Sequence, residues 1–317
     1  MPRNHAPLRG YLMIAGATLL WAISANVGRA LFTGRLLASD QLAHPISALQ
    51  LSQVRASVST LVLGSLLLWR RGLRPLILSR GDTIRCLILG AAGLAGSNFL
   101  YYYAMQTTSV ASAIIVQYTA PAWVLLWVSF AHRQWPSLPK VGGVLLAILG
   151  CALVVGVIGG GGLHGTTLGL LAVLLASFSF AFYSVFGHDL LRRFPEGDRW
   201  LVVFYAFMGA ALLWAFVNPP WRLFAQGYSG RQWVFLVLFA LGSSLGPFAL
   251  YFLGLQYVDA TSAIVTCTLE PVMSILLAAA LLGESLGAMQ VAGVAVVLSA
   301  ILLVQLQGRT EAPLTVD

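Results

Sequence analysis

Few side chains in this sequence are equipped for chemistry, and two of them stand where charge is costly. Glu270 lies near the midpoint of the apolar run 259–284, DATSAIVTCTLEPVMSILLAAALLGE, with Pro271 directly after it. Arg55 lies in another apolar run, LSQVRASVSTLVLG. A charge in hydrocarbon costs roughly 3 kcal/mol or more unless it is paired, hydrated or neutralised. A carboxylate kept there binds an amine, takes up a proton, or caps polar groups freed by the proline. An arginine kept there binds a carboxylate or phosphate, pairs with Glu270, bonds backbone carbonyls, or snorkels outward. Pointing into lipid is its most expensive choice. Pro271 removes one backbone donor and frees the carbonyl of Cys267; Pro121 is a second such helix-break. Breaks of this kind survive at membrane depth only against packed protein or a watery cavity.

Neutral polar residues also fall within apolar runs: Asn26, Gln53, Asn98, Gln117 and Tyr118. They either bind a solute or bond helix to helix, the latter for about 1 kcal/mol each. Trp21 and Phe182 lie far from the ends of their runs and are candidates for a cavity wall. Tyr101 and Tyr251 suit a wall or the aromatic belt at a membrane surface. Glu270, Arg55, Trp21, Asn26, Asn98, Tyr101, Gln117, Phe182 and Tyr251 are thus the candidates for solute binding or coupling. No GxxxxGK[ST] loop, HExxH or Ser/His/Asp arrangement is present, which argues against ATP hydrolysis and enzymatic catalysis. Cys86, Cys151 and Cys267 sit in apolar segments without metal-type spacing, so no metal and no cofactor is expected.

The elements that carry these residues follow from composition. Of 317 residues, 59% are hydrophobic and 9% charged, and the mean hydropathy is +0.86. Soluble domains hold roughly 25% charged residues, so the surrounding partner is a lipid bilayer. A span needs roughly 20 apolar residues. Ten segments qualify: approximately Tyr11–Leu31, Ile46–Trp69, Thr83–Met105, Ala111–Ala131, Val141–Ile158, Leu168–His188, Trp200–Val217, Trp233–Leu253, Ala260–Leu282 and Gly287–Val304. The first continues to Phe32 without a cleavage signal and reads as a retained helix. The net charge of +8 reflects short basic loops, not a nucleic-acid partner. With the N-terminus in the cytoplasm, 13 of the 18 Lys and Arg lie inside and 4 outside, with Arg55 within a helix. The expectation is a bacterial inner-membrane, multi-pass protein with both termini cytoplasmic. Nothing in the sequence fixes an oligomeric state.

The chain also repeats itself. At an offset of 150, Ser109–Gln134 aligns without gaps on Asp259–Glu284. The match includes Ser112/Ser262, Ala113/Ala263, Ile114/Ile264 and Pro121/Pro271. It extends upstream through Gly96/Gly246, Tyr101/Tyr251 and Gln106/Gln256, and downstream through Gly143/Gly293 and Val154/Val304. Two halves result, 1–158 and 163–308, joined by Gly159–Gly162. Five spans per half is an odd number, so the halves enter the membrane from opposite sides. The expected fold is all-α and integral to the membrane, ten helices in two inverted five-helix repeats. That architecture underlies many secondary transporters, which bind solute near the midplane.

These residues carry a resemblance. The chain resembles the EamA-type ten-helix family of the drug/metabolite transporter superfamily over roughly residues 10–305. Glu270-Pro271, then Gly283-Glu284, Gln290 and Gly293, follow that family's pattern, as does Arg55 before its apolar run. The first half departs from it at Ala120-Pro121 and Arg133-Gln134, where the acids are missing. The resemblance implies a central cavity lined by helices one to four and six to nine. It also implies a transporter of a small-molecule substrate, an amino acid or a derivative, moved outward. The alternatives are a phosphorylated-metabolite exchanger, which would want more than one deep cation, and a lipid scramblase.

Overall fold

The structure, a computed structural model, describes residues 6–32, 46–72, 77–133, 135–158, 163–282 and 286–310. The glycine linker Gly159–Gly162, Gln134 and the Gly283-Glu284 turn lie outside the described residues. Within them are ten helices long and apolar enough to cross a membrane. They are α1 (Ala6–Phe32), α2 (Ala48–Arg71), α3 (Arg80–Thr107), α4 (Val110–Gln117 and Ala120–His132) and α5 (Leu138–Val155). The second set is α6 (Thr167–Leu191), α7 (Arg199–Val217), α8 (Gly230–Gly254), α9 (Ala260–Thr266 and Leu269–Leu282) and α10 (Ala288–Thr310). The chain is an all-α membrane protein.

The offset of 150 governs local structure as well as sequence. Ser79 caps α3 and Ser229 caps α8, each accepting from the backbone N–H three residues on. Ser109 caps α4 and Asp259 caps α9 in the same way. An oxygen at the cap satisfies one of the first amides that the helix leaves unpaired. Both α3 and α8 widen into a π-helical stretch, Leu89–Ala95 and Leu241–Leu245, which ends just before Gly96 and Gly246. Helices α4 and α9 are interrupted at Tyr118-Thr119 and Cys267-Thr268, ahead of the two prolines. The Cys267 carbonyl does not stay free, since the Glu270 N–H reaches it at 2.9 Å in a tighter turn.

Equivalent helices pack against each other in opposite directions. A side chain added at Gly143 of α5 would meet Val304 of α10, one at Gly150 would meet Val297, and one at Gly293 would meet Val154. Position numbers therefore climb in α5 as they fall in α10. Helices α2 and α7 behave alike: Gln53 pairs with Asn218, Gly64 faces the Phe204 ring, and Arg71 bonds Asp198 at 3.0 Å. Two copies of one unit meeting antiparallel through their matching helices are related by an axis in the membrane plane, which is the inverted repeat.

The two ends of the bundle differ in charge. At one end Arg71 meets Asp198, Arg199 hydrogen-bonds Gln256, and Arg9 lies 5.4 Å from the Tyr257 ring. At the other, Gln53 and Asn218 exchange two hydrogen bonds of 2.6 Å. There the segment entering α6 also docks on the α3–α4 turn, with Ser109 N–H on the His164 carbonyl at 3.0 Å.

Close helix approach is driven by small residues, because lipid offers no hydrophobic push between helices. A Cβ at Gly90 would collide with the backbone carbonyl of Ala206, and one at Gly93 with Tyr183. Gly242, which forms a GxxxG pair with Gly246 in α8, instead faces open space with nothing within 4 Å. Gly90→Val is therefore expected to cost about 1–3 kcal/mol by overpacking, while Gly242→Ala stays within about 0.5 kcal/mol. Unfolding midpoints of the two purified variants in detergent check this. Equal loss in both would contradict the assignment of the α3–α7 contact.

Candidate functional site

Between the halves lies a cavity of about 740 Å³, the open space at its mouth included. Its wall takes Trp21, Ser24 and Ala25 from α1, Arg55 from α2, and Ser97, Asn98, Tyr101, Tyr102 and Met105 from α3. Gln117, Tyr118, Ala120 and Pro121 come from the α4 break. Phe180 of α6, Phe248 of α8, and Ile264 and Glu270 of α9 complete it. No described residue of α7 reaches this wall, although helices one to four and six to nine were all expected there. Helix α7 is held behind α2 and α3 by the contacts at Gly64 and Gly90.

Arg55 is 3% exposed and fully engaged on one edge. Its Nη1 donates to Asn98 Oδ1 at 2.9 Å and its Nη2 to the Ser243 carbonyl at 2.5 Å. The guanidinium also stands 4.9 Å from the Tyr102 ring centre and 5.9 Å from that of Phe239, within range of cation–π attraction. The Ser243 carbonyl is available for a local reason. The residue four positions on is Pro247, which has no N–H to close the helical bond. It lies in the π-helical stretch of α8, a distortion common at functional sites. Asn98 is fixed from its other side, since its Nδ2 donates to the Leu94 carbonyl at 2.8 Å, leaving Oδ1 for the arginine.

Glu270 is half-buried where the second part of α9 begins. Its Oε2 accepts from the Tyr118 hydroxyl at 2.7 Å, a bond that ties the α4 break to the α9 break. No ion pair joins Arg55 to Glu270 among the described residues. Each charge faces the same cavity with neutral partners only. Gln117, one residue before Tyr118, leaves its Oε1 without a partner.

Toward the basic end the cavity is floored by rings. Trp21 packs on Phe180 at 5.9 Å, Phe248 at 5.0 Å and Tyr251 at 5.7 Å. Tyr183 and Phe252 lie beyond, with ring centres 5.6 Å apart.

Of the sequence candidates, the cavity collects Glu270, Arg55, Trp21, Asn98, Tyr101 and Gln117, together with Pro121. Three others sit elsewhere. Asn26 bonds the Ser274 hydroxyl at 2.9 Å and ties α1 to α9. Tyr251 is fully buried behind Trp21, its hydroxyl 2.6 Å from Ser184 Oγ. Phe182 stacks on Phe186 and faces Trp127 on the opposite side of α6. Two residues advance a helix by about 200°, so Phe180 and Phe182 cannot both face inward. Phe180 is the ring on the wall. Pro247 is not among the sequence candidates, although Gly246-Pro247 inside the eighth span signals a free carbonyl at Ser243.

A sequence profile described as the EamA-like transporter family matches residues 8–156 and again 167–306. The chain is 26% identical over 241 residues to a Salmonella typhimurium protein named "uncharacterized inner membrane transporter YicL", covering 74% of this chain and 77% of that one. It is likewise 26% identical over 269 residues to the Bacillus subtilis "uncharacterized transporter YxxF", covering 83% and 84%. A crystal structure of a protein 20% identical to it superposes with a TM-score of 0.70 over 97% of this chain and 99% of that one, a likeness of fold.

Proposed function

Because the chain belongs to the EamA-like transporter family, we propose that it carries a small zwitterionic metabolite, an amino acid or a derivative, by alternating access. One observation carries this reading: an unpaired cation and an unpaired acid, Arg55 and Glu270, face one cavity between inverted repeats. A zwitterion completes both, its carboxylate on Arg55 and its ammonium on Glu270 with the open Gln117 Oε1 beside it. The rings of Trp21, Phe180 and Phe248 suit a partly apolar side chain. A phosphorylated metabolite would bring two negative charges to a described lining with one cation. Inversion supplies the mechanism, since exchanging the conformations of the two units moves the opening from one face to the other. The aromatic floor then closes the basic end, which the distribution of Lys and Arg assigns to the cytoplasm, while export discharges solute to the opposite side.

Thermal shift of the purified protein against zwitterionic, anionic and cationic metabolites, followed by counterflow of the best hit in liposomes, tests the proposal. The expected result is saturable exchange of a zwitterion. Stabilisation and exchange confined to dianions would overturn it.

A further inference from the structure

A second hollow, about 210 Å³ with the open space at its mouth included, lies behind Arg55, lined by Ser52, Arg55, Asn98, Trp214 and Ser244 with alanines and Leu94 between them. It has room for about one water-sized sphere. No carboxylate lines it. Two polar atoms beside it are buried and lack any partner: Arg55 Nε and Ser52 Oγ. Both side chains are 3% exposed. Arg55 thus gives one N–H of Nη1 and one of Nη2 to neutral acceptors, while its Nε–H has no partner.

We propose that this chamber is a binding site for one monovalent anion of halide size, chloride being the physiological ion. A guanidinium in a low-dielectric bundle without a counter-charge is expensive. A water molecule would take the Nε–H but leave the charge standing. A halide accepts from the Arg55 Nε–H and from the Ser52 and Ser244 hydroxyls, and it cancels the charge at the same time. The arginine disfavours cations, and the narrow inner part of the hollow favours a monatomic anion over sulfate, phosphate and organic carboxylates. Because one guanidinium lines both hollows, the halide and the solute carboxylate are alternative counter-charges for Arg55, and the halide holds it when no solute is bound.

The test varies Ser52, which does not line the larger cavity. Full-length protein is purified in sodium gluconate and titrated with chloride or bromide at constant ionic strength. The unfolding midpoint is expected to rise and saturate with either halide and not with gluconate. Crystals soaked in bromide are expected to show an anomalous peak in the chamber. Ser52→Ala is expected to raise the half-saturating halide concentration roughly tenfold, one hydrogen bond to a charge being lost. If that variant fails to fold, the bromide map of the unmodified protein decides alone. Water density without anomalous signal, or a midpoint indifferent to halide, would overturn the proposal.

Discussion

Arg55→Ala is expected to weaken binding of the transported solute by about 10- to 150-fold, the range given by about 1.5–3 kcal/mol for a hydrogen bond to a charged group. The arginine is the only cation on the described cavity wall, so no neighbour substitutes for it. Its removal also strips the partners from Asn98 Oδ1 and the Ser243 carbonyl. An unpaired buried acceptor costs about 1–3 kcal/mol, so the variant is expected to unfold earlier as well. Arg55→Lys separates the two effects. It keeps the charge but presents a single point where the fork reached two acceptors on two helices. Solute affinity is read by isothermal titration on protein that elutes as a single species. Wild-type affinity in Arg55→Ala would remove the arginine from the solute site.

Glu270→Gln is expected to abolish the pH dependence of transport and to lower its rate by at least about tenfold. Glutamine is nearly isosteric and still offers an oxygen to the Tyr118 hydroxyl, now bonded at 2.7 Å, so the tie between the two helix breaks survives. What is lost is the negative charge and the ability to bind and release a proton. The proposal seats a cationic group of the solute on this carboxylate, and the carboxylate is further expected to take a proton when that group leaves. The charged form attracts an ammonium and the neutral form does not, which couples rate to pH. Liposome flux measured from pH 5 to 8 for both proteins checks the point. A glutamine variant with unaltered flux and an unaltered profile would make Glu270 a structural acid.

The repeat made most of the architecture readable. Its offset of 150 foretells the matched caps Ser79/Ser229 and Ser109/Asp259 and the matched interruptions before Pro121 and Pro271. Five spans per half is a count, and the inversion follows from it; the antiparallel packing of α5 on α10 is its physical form. Helix phase was less legible. The stretch of α6 around them, ASFSFAFYSVF, holds only apolar residues and serines, so composition could not distinguish Phe180 from Phe182. Gly242 shows a related limit, because a small residue permits close approach without supplying the neighbour.

Composition and periodicity by themselves determined that this chain lies in a bilayer, how many times it crosses, and that its halves are opposed. They also marked Glu270 and Arg55 as charges requiring an explanation. These are properties of segments, set by the transfer cost of about 20 consecutive residues or by one proline's missing amide. The tertiary structure alone decided what meets those charges. Arg55 finds a carbonyl 188 residues away in α8, and Glu270 a hydroxyl 152 residues away in α4. Such pairings depend on how helices rotate and cross, which is fixed by side-chain packing among all ten helices and by no stretch of sequence on its own.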